Sequence, residues 1–296
     1  MPAGPSVATA PVNWNNADVA GWAAEVPFPD LLAEMAAAGY DATEYGGNFP
    51  AEPAVLGAAL AGHGMRLCGA YHALPLHVDG MLNELGPALD RFLRLLAAVG
   101  CRDLIVAFPL EPERVALARR VPADGSAGLS EAQWRTTGHN LAAVAEAAAG
   151  HGLRAHFHNH VGTFVETPAE IERLLEILDP DLIDLCYDCG HHAFGGGDPL
   201  AFVHRHHGRI GYLHLKDVDP TVLARARERQ LGFVGALREF VFCELGQGMV
   251  DVPALTKTLI DQGYRGWVVV EQDTSPRHPT ESARANREYL RERCGL

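Results

Sequence analysis

Short apolar runs alternate with amphipathic stretches along almost the whole chain. The runs over 7–12, 40–45, 65–71, 104–108, 153–158, 182–188, 210–215 and 267–271 have the length and composition of buried strands. Between them the pattern changes to a helical period, which predicts helices over 29–39, 52–64, 86–100, 130–152, 167–178, 199–208, 253–263 and 279–296. Strands that each lead into a helix imply a parallel sheet. Eight such units in 296 residues fit one closed (β/α)8 TIM barrel spanning 1–296. The rival is an open doubly wound sheet, and no G-x-G-x-x-G follows the first strand to support it. One segment breaks the rhythm. Residues 219–248 are too many for a βα loop, and they carry a charged helical pattern (VLARARERQLGFVGALREF) and then a glycine-rich turn. Insertions of this length are usually functional, so it reads as a lid over the barrel mouth. Arg225, Arg227 and Arg229 are expected on its solvated face.

Composition narrows the partners. The net charge of −13 argues against a nucleic-acid partner, which needs a basic footprint. Residues 1–10 lack the basic and apolar regions of a secretory leader, and no run is long enough for a membrane span. The 6 cysteines show no framework spacing, which fits a reducing, cytoplasmic compartment. Cys186 and Cys189 match the redox spacing but lie along a strand, where alternation sends their side chains to opposite faces.

In a barrel the active site lies where the strands end, and these strands end in polar residues. Glu44, His72, the cluster His156, His158 and His160 with Glu166 behind it, Asp188, His214, Lys216 and Glu271 all fall there. Glu166, Asp188, His214 and Glu271 come from the fifth to eighth strands. Three carboxylates and an imidazole suit a hard or borderline divalent ion, Mn²⁺ first, with Mg²⁺, Co²⁺ or Zn²⁺ as alternatives. Trp14 and Phe194 suggest an apolar wall beside a substrate ring. Lys216 suits a developing anion, although a lysine reaching outward from a strand end reads equally well. Asp217 reads as the cap of the following turn.

Six segments then carry a resemblance: PFPDLLAEMAAAGYDATEYG (27–46), HFHNHVGTFVETPAEIERLL (156–175), YDCGHHAFGGGDP (187–199), RIGYLHLKDV (209–218), LGQGMVDVPAL (245–255) and YRGWVVVEQD (264–273). With these the chain resembles the xylose-isomerase-like sugar isomerase/epimerase barrels, and within them the myo-inosose dehydratases. The resemblance implies metal ligands at Asp188, His214 and Glu271, with Glu166 preferred to His158 as the ligand from the fifth strand. It places His191 beside the substrate. Asn159 and the run Cys243-Glu244-Leu245-Gly246 depart from the inosose-dehydratase form. The implied chemistry is removal of a proton next to a carbonyl held by the metal, by Glu271 or Glu166, then loss of a β-hydroxyl protonated by His158, His160 or His191. Glu44, His72, Trp14 and Lys216 are the expected substrate contacts. The alternatives are an isomerase or epimerase acting on a ketose or its phosphate, a lyase acting on 3-oxo-glycosides, and a sugar-binding subunit without catalysis. The expected partner is a small sugar or cyclitol ketone, with no nucleic acid and no membrane, and the chain is expected to form a homo-oligomer.

Overall fold

The computed structural model describes residues 4–296; the first three residues of the stretch read for a leader lie outside it. Its strands in chain order are β1 (Ser6–Thr9), β2 (Ala42–Tyr45), β3 (Arg66–Ala73), β4 (Asp103–Ala107), β5 (Arg154–His158), β6 (Ile183–Asp188), β7 (Ile210–Leu215), β8 (Asp217–Val218), β9 (Phe242–Cys243) and β10 (Trp267–Val270). All but β8 and β9 pair in parallel and close on themselves in the order β1-β10-β7-β6-β5-β4-β3-β2. The predicted (β/α)8 barrel is therefore present, and each predicted strand is found within a few residues of its expected span.

The helices are α1 (Phe28–Ala37), α2 (Pro53–Gly62), α3 (Met81–Ala98), α4 (Pro112–Leu117), α5 (Glu131–Gly150), α6 (Pro168–Ile177), α7 (Cys189–Gly195), α8 (Pro199–His206), α9 (Pro220–Glu228), α10 (Phe233–Arg238), α11 (Val252–Asp261) and α12 (Pro279–Tyr289). Helix α3 starts earlier than expected and carries Pro87 inside it. The short helices α4 and α7 have too few residues to show a helical period. Local chemistry sets several starts. Ser130 and Thr167 each form a capping box, with Gln133 and Glu170 respectively.

Strand alternation divides the apolar residues into two sets. Outward residues such as Leu104, Val106, Phe157, Leu185, Leu213 and Val270 join the helices in the main core. Inward ones, among them Ala8, Ala42, Cys68, Ile105, Cys186, Tyr212 and Val269, fill the barrel. The filling is tight around Gly69, where a Cβ would fall 2.6 Å from both the Ile105 Cδ1 and the Tyr212 hydroxyl. Packed strands of this kind make a rigid floor for whatever sits at their ends.

Residues 219–248 form α9, α10 and the antiparallel ribbon of β8 with β9. Asp217 does more than cap the next turn. Its carboxylate accepts from the backbone N–H of Val218 (2.8 Å), Gly246 (2.9 Å), Gly248 (3.0 Å) and Val250 (3.0 Å), and so folds the glycine-rich turn around itself. A Cβ on Gly248 would lie 2.2 Å from that carboxylate, which is why glycine stands there.

Candidate active site

Asp188 ends β6 and caps α7, its Oδ1 accepting from the His191 N–H at 2.7 Å. Asn159, one residue beyond β5, bridges to it twice. The Asn159 amide nitrogen donates to the Asp188 carbonyl, and its oxygen accepts from the Asp188 N–H, both at 3.0 Å. Asp188 is thereby fixed with Oδ2 turned inward, buried and without a hydrogen-bond partner.

His214 comes in from the neighbouring strand β7. Its Nε2 pairs with Glu44 Oε1 at 2.8 Å, which fixes the ring with Nδ1 turned toward the Asp188 and Glu271 carboxylates. Nδ1 is likewise buried without a hydrogen-bond donor. It lies 4.0 Å from Asp188 Oδ2 and 3.2 Å from Glu271 Oε2. Two carboxylate oxygens and an imidazole nitrogen, two of the three atoms buried without a hydrogen-bond partner, form a donor set that fits a divalent cation. A carboxylate that orients a ligand histidine through its other nitrogen is the usual support for such an ion. Glu44, expected to touch substrate, borders the cavity and also holds His214.

Lys216 is fully buried, which rules out the outward-reaching lysine. Its Nζ lies 2.7 Å from Asp273 Oδ1, 3.2 Å from Glu271 Oε2, 3.4 Å from Asp188 Oδ2 and 3.1 Å from His191 Nε2. The Phe242 ring lies under it at 4.7 Å. Burial alone would discharge this amine, but Asp188, Asp273 and Glu271 hold its pKa well above the ordinary lysine range. Burial pushes the Asp188 carboxyl up, against the pull of Lys216. For Glu271 burial is outweighed by His214 and Lys216, which keep it well below the usual carboxylate range.

The three mouth histidines sit together, with His160 and His191 ring centroids 3.8 Å apart and His158 and His214 4.7 Å apart. Burial, helped by neighbouring cationic groups, lowers all three of His158, His160 and His191, His160 to about 3. Neutral imidazoles accept protons more readily than they donate them, which weakens the expectation that one of them acts as the acid. His156 lies deeper, pairing with Asp103 at 2.9 Å and packing on Tyr212.

A cavity of about 380 Å³ opens over these groups, bordered by Glu44, Tyr71, His158, His160, His214, Lys216, Glu271 and Asp273, with Asp18 at its rim. Four expected residues are elsewhere. Glu166 accepts from the backbone N–H of Arg119 (2.7 Å) and Gly162 (2.8 Å), tying together the loops after β4 and β5 away from the cavity. His158 lies with His214 and Cys186 in a group whose atoms could hold one ion. Trp14 is buried in the outer core, its indole N–H pointing to Glu34 (2.9 Å) and Thr280 (3.1 Å). His72 stacks on Phe92 of α3, outside the barrel. The cause is a register shift between β2 and β3 at Thr43/Glu44, where Thr43 pairs with Leu67 but Glu44 with Gly69. An extra residue reverses the alternation beyond it, so Tyr71 faces the mouth and His72 does not. Phe194 packs on Phe233 and Phe242 beneath the insertion rather than lining the cavity. Tyr71 and Asp273 carried no signal in the apolar pattern, and Asn159 stood out only as a departure within the histidine cluster.

The sequence profile of the xylose isomerase-like TIM barrels matches residues 32–293. The chain is 36% identical over 286 residues to the rhizopine catabolism protein MocC of Rhizobium meliloti, covering 96% of this chain and 87% of that protein. It is 33% identical over 291 residues to the inosose dehydratase of Geobacillus kaustophilus (strain HTA426), covering 96% and 93%. Among solved structures, the IOLI protein with a bound zinc atom superposes with a TM-score of 0.71 at 14% identity, over 98% of each chain. At that identity the likeness is one of fold.

Proposed function

Since this chain belongs to the xylose isomerase-like TIM-barrel family, we propose that it is a divalent-metal-dependent lyase that removes water from a cyclic polyol ketone. The observation that carries the reading is the pair of buried atoms without a hydrogen-bond partner, Asp188 Oδ2 and His214 Nδ1, 4.0 Å apart beside Glu271 Oε2, with the Lys216 ammonium 3.4 Å from the first. These three atoms would hold the ion, with His158 rather than Glu166 as the donor from the fifth strand. Bound there, the ion supplies Lewis acidity to a ketone oxygen and so acidifies the neighbouring C–H. Mn²⁺, Mg²⁺, Co²⁺ and Zn²⁺ all suit these donors, and Mn²⁺ matches the carboxylate share best.

The chain's own groups do the rest. Glu271 borders the cavity and takes the proton from the carbon beside the carbonyl. Lys216, a fixed cation beside Asp188 and Glu271, holds the negative charge that then develops on the substrate. The helices and ribbon of 219–248 shield this charge from water. Phe233 stands 5.4 Å from the His160 ring and Phe242 5.3 Å from the His191 ring, and both are fully buried. The cavity border contains one lysine and no arginine against Asp18, Glu44, Glu271 and Asp273, which suits a neutral substrate better than a phosphorylated sugar. The curated relatives named inosose dehydratase favour elimination over isomerisation.

The test is a panel: an inosose and a 3-oxo-glycoside against fructose, tagatose and psicose, each with and without chelator. The reading expects chelator-sensitive loss of water from the inosose, faster than any turnover of the open-chain ketoses. Faster turnover of the ketoses replaces it with the epimerase alternative.

A further inference from the structure

Elimination of a hydroxyl needs a proton for the leaving oxygen, and the groups described so far supply it poorly. His191 does not border the cavity. His160 Nδ1 lies 2.7 Å from the Val161 carbonyl, so the proton of the neutral ring is spent there and Nε2 carries a lone pair. The Lys216 ammonium is shared among Asp188, Glu271 and Asp273. Asp273 is tied to that ammonium at 2.7 Å, and the Glu271 and Asp188 oxygens face the same cation at 3.2 and 3.4 Å.

One O–H remains. Tyr71 is brought to the mouth by the register shift after Thr43. Its ring meets His158 edge-on, with centroids 6.0 Å apart. The side chain borders the cavity and is 40% exposed to it, unusual for a tyrosine at the end of an interior barrel strand. Its hydroxyl has no hydrogen-bond partner among the described residues, so it is open to a group held in the cavity. Asp18, Glu271, His214 and Lys216 are the charged neighbours.

We propose that the Tyr71 hydroxyl is a catalytic group that donates its proton to the departing β-hydroxyl. The proposal rests on the elimination reading above. In the step, a base takes the proton next to the ketone, and that C–H electron pair becomes the new carbon–carbon double bond. The C–O pair leaves with the β-oxygen, the Tyr71 proton turns that oxygen into water, and the proton first lost to the base is returned to the phenolate. The net change is ketone to unsaturated ketone plus water, with no oxidant or reductant.

The experiment compares wild type with Tyr71→Phe, both metal-loaded, in D₂O. Phenylalanine keeps the ring against His158 and removes only the O–H. Three rates are read: exchange of the α-proton by NMR, loss of water from an inosose, and loss of acetate from the corresponding β-acetoxy ketone. Acetate leaves without protonation. General-acid catalysis contributes roughly 10²–10⁴-fold, so water loss should fall at least about 100-fold in Y71F. Exchange and acetate loss should stay near the wild-type rates. Unchanged water loss, or an equal fall in all three, overturns the assignment while leaving the dehydratase reading intact. A wild-type enzyme that exchanges the α-proton yet never loses water overturns the reading itself, and the role of Tyr71 with it.

Discussion

Glu44→Ala isolates the contact that decides how His214 presents itself. The Glu44–His214 pair is 2.8 Å long and buried on both sides, with side chains 4% and 1% exposed. Removing the carboxylate leaves the Nε2–H without a partner, frees the ring to rotate and lets the proton move to Nδ1, the nitrogen that faces Asp188 and Glu271. Partners of this kind contribute about 10–100-fold to metal affinity, or roughly 1.4–2.7 kcal/mol. Glu44→Gln keeps an oxygen that accepts from Nε2–H and loses only the charge, so its effect should be less than about tenfold. Affinity for Mn²⁺ or Zn²⁺, measured by competition with a chromophoric chelator, reads both variants. The reasoning fails if Glu44→Ala binds metal like wild type. It also fails if that variant binds none at all, since Glu44 would then be a ligand and not its support.

The fifth-strand ligand is tested by His158→Ala and Glu166→Gln. The first should lower metal affinity at least about tenfold. The second should leave metal content unchanged but cost about 1–3 kcal/mol of stability, because the amide nitrogen would face a backbone N–H; the opposite pattern restores Glu166 as the ligand. Asn159→Asp removes the donor to the Asp188 carbonyl and sets a carboxylate against it, so urea unfolding should show a loss of about 1–3 kcal/mol together with weaker metal binding. Unchanged stability and affinity would mean that Asp188 does not depend on this bridge.

The fold was legible because eight apolar runs and their helices repeat with little interruption, and burial of both sheet faces leaves few other arrangements. Asp188, His214, Lys216 and Glu271 were legible for a related reason: in parallel strands of fixed direction, a polar residue closing an apolar run can only sit at the mouth. Glu44 borders the cavity, but its bond to His214 was not legible, since no pattern along one strand reveals a contact across the barrel. His72 and Tyr71 exchanged roles because one extra residue at a register shift reverses every later side chain, and a bulge has no signature in apolar periodicity. Glu166 lies in a loop, where the backbone N–H groups of Arg119 and Gly162 capture it. Trp14 was ambiguous until Glu34 and Thr280 supplied partners for its indole N–H.

The most direct measurement is anomalous diffraction at the manganese edge from a crystal soaked with Mn²⁺ and an inosose. The account predicts one strong peak per chain, bonded at about 2.0–2.3 Å to Asp188 Oδ2, His214 Nδ1 and Glu271 Oε2 and contacted by a substrate oxygen. A crystal with no peak there, or with manganese bound only at other residues while the enzyme retains full activity, would contradict it.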